Sequence, residues 1–97
     1  MMATYQMYIG GEWVSSSSGE SFPSENPFNG EQWAIIPRAT EQDAARAISA
    51  ARDAFENEWS LVNGGQRAFL MNRLADLIDQ HAPHLARIET TDNGKVI

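Results

Sequence analysis

The chain of 97 residues is long enough for one small domain, and its 42% hydrophobic and 21% charged residues, with seven Gly and four Pro, exclude collagen-like, low-complexity and wholly disordered classes. Thirteen acids against seven bases leave a net charge of −6, the wrong sign for non-specific binding to nucleic acid or to an anionic membrane. With no cysteine, disulfides, zinc–thiolate sites and thiol nucleophiles are excluded within these residues. No apolar stretch approaches the roughly 18 residues that span a bilayer, and the N-terminus lacks the basic start and apolar core of a secretory signal, so a soluble cytoplasmic protein is expected.

Charge and residue type divide the chain. Residues 1–37 carry four acids (Glu12, Glu20, Glu25, Glu31) and no base, in a vocabulary of Gly, Ser, aromatic and β-branched residues that favours strands. Residues 38–97 carry all seven bases and are rich in Ala, Leu, Arg, Asp and Glu, which favour helices.

In chain order, Tyr5 to Ile9 and Glu12 to Val14 read as two short strands. Gly10-Gly11 between them can take the positive φ angles of a two-residue hairpin turn. Ser15 to Gly19 reads as a polar, flexible connection. Glu20 to Glu25 is a further strand, closed by the turn formers Asn26-Pro27-Phe28-Asn29-Gly30, and Gln32 to Ile36 returns as its partner, stopped by Pro37. The region 5–37 is therefore expected to hold two successive antiparallel hairpins.

Thr40 opens the helical region, 40–94. Its hydroxyl can cap the first turn, with Asp43 three residues on as an imperfect capping-box partner. Ala44, Ala47, Ile48, Ala51, Phe55 and Trp59 recur at steps of three and four, so a helix over 41–58 is expected with a mostly alanine face that lets a neighbour approach closely. Asn63-Gly64-Gly65 breaks the pattern. A second helix follows over about 66–80, with Leu70, Leu74, Leu77 and Ile78 facing inward. Pro83 suits the first turn of a third helix carrying Leu85 and Ile88, and Asn93-Gly94 is its expected stop. The apolar pair Val96-Ile97 predicts that more chain follows. The fold class expected is α+β, two hairpins followed by three helices.

Residue chemistry offers few sites. His81 and His84 are three apart, but Pro83 between them spoils the helical geometry of a two-His metal site, so both read as surface or helix-boundary residues. Asn63-Gly64-Gly65 lacks the lysine of a phosphate-binding loop and reads as a helix–helix loop. The serines at 15–18 have no histidine placed to activate them. Trp13, Trp33 and Trp59 have no basic groove beside them and read as packing residues. Asp92-Asn93-Gly94 lacks the alternating ligands of a calcium loop.

Taken in order, several motifs resemble the N-terminal part of the NAD(P)-dependent aldehyde dehydrogenase superfamily. They are Tyr8-Ile9-Gly10-Gly11-Glu12-Trp13-Val14, Phe22 through Asn26-Pro27 and Gly30-Glu31, the alanine-rich run Ala44 to Phe55 with Trp59, Arg67 and Leu70 with Leu74-Ala75-Asp76-Leu77, and Glu89-Thr90-Thr91-Asp92-Asn93-Gly94-Lys95. The resemblance implies that residues 1–97 are the first part of the cofactor-binding domain of a much longer subunit. The nucleophilic cysteine, the general-base glutamate and the groups that hold NAD or NADP would all lie beyond Ile97. The parent would oxidise an aldehyde to an acid through a cysteine thiohemiacetal, as a homodimer or homotetramer, and this segment would be inactive scaffold whose partner is the remainder of the subunit. The resemblance also implies a monovalent cation held by Asp92 with the backbone carbonyls of Ser24 and Glu25, where many members have a Thr and an apolar residue; a purely structural reading has Asp92 orient the turn at Gly94. A different class of protein, a small stand-alone interaction or docking module, is the competing expectation.

Overall fold

The computed structural model describes residues 2–97. Five strands precede three helices, the α+β order expected from the sequence: β1 (Ala3–Thr4), β2 (Met7–Ile9), β3 (Glu12–Val14), β4 (Ser21–Glu25), β5 (Gln32–Pro37), α1 (Glu41–Asn57), α2 (Gly64–Gln80) and α3 (Ala82–Asn93).

Both hairpins form, but in separate sheets. Strands β2 and β3 pair antiparallel with Tyr8 opposite Trp13, and their rings meet at 4.8 Å between centroids. Gly10 and Gly11 have φ of 61° and 83°, the pair of positive values that a turn matched to the twist of its strands demands. Strands β4 and β5 also pair antiparallel, with a register shift at Ser24/Glu25 that leaves Trp33 between the pairs Ser24–Ala34 and Glu25–Gln32. The unexpected element is β1, which lies parallel to β5 and completes a three-stranded sheet in the order β1-β5-β4. Only Ala34, on the central strand, is a buried apolar side chain among the described residues.

Helix α1 ends at Asn57, and Trp59 falls in a separate 3-10 turn, Trp59–Leu61, rather than on the helix. The first hairpin arches over α1, where a Cβ on Gly10 would stand 3.8 Å from Ala50 Cβ. The small side chains leave a cleft of about 640 Å³ lined by Tyr8, Gly10, Gly11, Ala47, Ala50 and Ala54. That contact covers only one side of the predicted apolar face, so Ile48 and Phe55 stay exposed. Helix α2 starts two residues before the expected point. Asn63 is its N-cap, exchanging hydrogen bonds with Gln66, so Gly64-Gly65 is the first turn rather than a loop. Pro83 lies in the first turn of α3, as expected, and Gly94 ends it at φ +76°.

The helices pack on little else. Leu70, Leu74, Ile78 and Leu85, expected to face inward, are exposed. The chain spreads over 47 × 34 × 18 Å with a radius of gyration of 16.8 Å, whereas a closed domain of this length has about 13 Å. Its accessible surface is 7684 Å², roughly 2,000 Å² more than a closed monomer of its mass exposes. The apolar helix faces are built and find little to bury against among the described residues. No helix among the described residues is long and apolar enough to cross a membrane.

Candidate functional site

Two polar clusters join distant parts of the chain. The first centres on Asp43, 1% exposed. As third residue of α1 it returns a bond to the Thr40 backbone N–H at 3.0 Å while its own N–H donates to Thr40 Oγ1 at 3.1 Å, so the capping box is complete rather than imperfect. The same carboxylate accepts from the Ser17 backbone N–H at 3.1 Å and from the Arg46 guanidinium. Ser16 Oγ donates to the Arg38 carbonyl at 2.5 Å, and Ser17 Oγ pairs with Thr40 Oγ1 at 2.7 Å. The Ser15–Gly19 segment is therefore clasped to the start of α1, where the sequence suggested a flexible connection. The Thr40 N–H, joined by Ser17 N–H and Arg46, holds the Asp43 carboxyl well below the usual carboxylate range, against the opposing push of burial. Every group shown on the carboxylate is a donor that satisfies it, and the Ser16 and Ser17 hydroxyls beside it are held by the Arg38 carbonyl and Thr40 Oγ1. This cluster fixes a loop.

The second cluster is the one the family resemblance singled out. Ser24 Oγ donates to Asp92 Oδ1 at 2.6 Å, joining the end of β4 to the last turn of α3. Below it, the Asn26 side chain accepts from the Phe28 N–H at 2.9 Å and the Gly30 N–H donates to the Asn26 carbonyl at 2.7 Å, which folds the Asn26–Gly30 turn back on itself. Pro27 in that turn lies against Gly94, where a Cβ would stand 3.0 Å from Pro27 Cγ. The structure thus brings the side chains of Ser24 and Asp92 together across the sheet–helix boundary, and Glu25 is the next residue along β4. Among the described residues no three His, Cys, Asp or Glu side chains gather as a metal site.

The remaining candidates stay apart from both clusters. His81 caps the junction of α2 and α3 and, like His84, is exposed. Trp13 is exposed beside Tyr8, and Trp33 meets Tyr5 edge-on at 6.0 Å. The buried role of Asp43 escaped the sequence reading because one of its partners lies 26 residues away; the only available signal was a serine run ahead of a capping box.

Residues 13–97 match the model of the aldehyde dehydrogenase family. The chain belongs to that family, and it corresponds to an N-terminal segment of the subunit. It is similar to a (Z)-2-((N-methylformamido)methylene)-5-hydroxybutyrolactone dehydrogenase of Acinetobacter baylyi, 42% identical over 99% of this chain and 20% of the relative. Its fold overlies an NAD-dependent aldehyde dehydrogenase from Sinorhizobium meliloti with a TM-score of 0.93, at 35% identity over 98% of this chain and 19% of that one. A betaine aldehyde dehydrogenase from Staphylococcus aureus, in complex with NAD+, gives a TM-score of 0.89 at 42% identity over 94% of this chain and 18% of its own. The chain spans about a fifth of the length of the relatives it matches.

Proposed function

We propose that this chain is the first part of the cofactor-binding domain of an NAD(P)-dependent aldehyde dehydrogenase, and that the protein carrying it oxidises an aldehyde to a carboxylic acid. The single observation that supports this most strongly is the superposition of 98% of the chain on an NAD-dependent aldehyde dehydrogenase at a TM-score of 0.93. The chemistry the likeness implies, addition of a cysteine to the aldehyde and loss of hydride to the nicotinamide, belongs to residues outside this segment, which has no cysteine. What these residues do is structural: two hairpins and three helices present aligned apolar faces to the rest of the subunit. A homodimeric or homotetrameric assembly and a cytoplasmic location are part of the same reading.

The stand-alone module is the weaker reading. A self-sufficient domain closes its own core, and here one apolar side chain is buried among the described residues.

A monovalent cation held by Asp92 and the carbonyls of Ser24 and Glu25 is also part of the proposal. Its support is the contact of Ser24 with Asp92, which brings hard oxygen donors from β4 and α3 side by side. The test is a pair of assays on the complete gene product that carries this sequence. Reduction of NAD+ or NADP+ is followed with an aldehyde panel, in potassium, sodium and choline buffers, for the unaltered protein and for Asp92→Asn. Aldehyde-dependent reduction is expected, and its absence from folded protein overturns the enzymatic reading. Equal thermal stability of Asp92→Asn and the unaltered protein in all three buffers overturns the cation.

A further inference from the structure

Arg67, near the start of α2, is a cation held in place without an anionic partner among the described residues. Its guanidinium lies over the Trp59 ring, 5.6 Å from the centroid, and Nη2 donates to the Trp59 carbonyl at 3.3 Å. Its Nε–H is shut off from water and finds no acceptor among the described residues. The ion pairs among those residues go instead to Arg46, Arg52 and Lys95. Glu58, next to Trp59 in the chain, does not pair with Arg67. A buried donor on a charged group is costly to leave unpaired, and stacking on an aromatic ring does not satisfy a hydrogen-bond donor.

The setting of Arg67 indicates what is missing. Trp59, which carries the guanidinium on its face, also lines an open groove of about 580 Å³ with Ala51, Ala54, Phe55, Val62 and Leu70. Glu58 is the one charged residue in its lining. An apolar trough beside a fixed guanidinium fits a segment that is apolar along its length and carries one carboxylate, because that side chain supplies the acceptor that a planar fork of N–H donors matches. The surplus of exposed surface, roughly 2,000 Å² on this chain alone, is more than twice the about 800 Å² that each side of an ordinary stable interface buries.

We infer that Arg67 and this groove form the docking surface for an apolar, carboxylate-bearing segment of the same polypeptide outside residues 1–97. The inference rests on the reading of this chain as one part of a longer subunit, since the relatives are about five times its length.

The test uses the complete gene product with Arg67→Met and Arg67→Glu. Arg67→Met strands the partner carboxylate and lowers Tm by about 5 °C or more, and Arg67→Glu, which opposes two carboxylates, lowers it further or abolishes soluble protein. A selection for restored soluble protein from Arg67→Glu is then expected to return Asp or Glu to Lys or Arg changes at one position beyond residue 97. Two results overturn the inference: both variants melting within about 2 °C of the unaltered protein, or suppressors of Arg67→Glu confined to residues 1–97 or carrying no acidic-to-basic change. Aldehyde-dependent reduction of NAD+ by the unaltered protein, measured alongside, separates the two readings. Its absence with the Arg67 effects intact removes the enzyme and leaves the interface, and normal activity with silent Arg67 variants does the reverse.

Discussion

Replacing Gly94 by alanine tests the joint between α3 and the β4–β5 turn. Gly94 has φ +76°, a conformation that costs an L-residue about 1–2 kcal/mol. The new methyl would also stand 3.0 Å from Pro27 Cγ, inside the usual 3.5–4.0 Å carbon–carbon contact, and a proline ring has no rotamer by which to swing away. Adding about 1 kcal/mol for that crowding gives a total near 2–3 kcal/mol. Because the Gly94 N–H is bonded to the Thr90 carbonyl at 2.9 Å, the loss falls first on the last turn of α3. Hydrogen exchange of a peptide covering 88–97, in the complete gene product, should therefore accelerate by about 30- to 150-fold. Gly11→Ala is the control: its φ is +83°, no atom lies within 4 Å of the added Cβ, and it belongs to the other sheet. It carries the backbone strain alone and should leave exchange at 88–97 unchanged. Unchanged exchange in Gly94→Ala, or equal acceleration in Gly11→Ala, would refute the reasoning.

Thr40→Ala removes the acceptor for the Asp43 N–H and the partner of Ser17 Oγ, and should cost about 1 kcal/mol by denaturant unfolding, with Thr40→Ser recovering most of it. The Asp43 carboxyl has its folded pKa depressed below an ordinary value of 3.8, so its contribution is fully present above that pH and is lost as pH falls below it. The stability gap between the unaltered protein and Asp43→Asn should accordingly be level from pH 8 to about 5 and close on further acidification; a gap that narrows already between pH 8 and 6 contradicts the assignment. Calorimetric titration of the 97-residue chain with NAD+ should show no saturable binding, since the nucleotide site is assigned to residues outside it. Saturation there would move that site into these residues.

What the sequence disclosed, and what it hid, follows the range of the interactions concerned. Gly10-Gly11, Pro83, Gly94 and the Thr40 cap act within a few residues of themselves, and each stands where local chemistry placed it. Strand β1 was not legible, because two residues, Ala3 and Thr4, have no periodicity and their pairing with Ala34 and Ile35 is decided by the sheet. The Ser15–Gly19 loop looked mobile because serine suits flexible connections and short side-chain clasps alike; the Asp43 carboxylate that decides between them is remote in sequence. Family likeness grouped Ser24 and Glu25 with Asp92 as cation ligands through backbone carbonyls, but the side-chain hydrogen bond of Ser24 to Asp92 across 68 residues was not legible, since neither residue type nor local spacing points from one to the other. Helix faces were correctly periodic but stayed exposed, as periodicity reports which side of a helix is apolar and not whether its cover belongs to the same stretch of chain.

The contact of Ser24 with Asp92 also sets an order of events during synthesis. At about 5–20 residues per second, Asp92 leaves the ribosome roughly 3–14 s after Ser24, long after hairpins and single helices have had time to form. Throughout that interval the β4–β5 turn, with Phe28 91% exposed at its tip, has no helix end to rest against. Closing a loop of this length costs entropy that only non-local contacts can offset, so the sheet waits for α3 rather than guiding it. The nascent hairpin is then a surface that chaperones can read, and the arrival of α3 covers only the Pro27 side of its turn, because Phe28 remains exposed after the contact at 92 has formed.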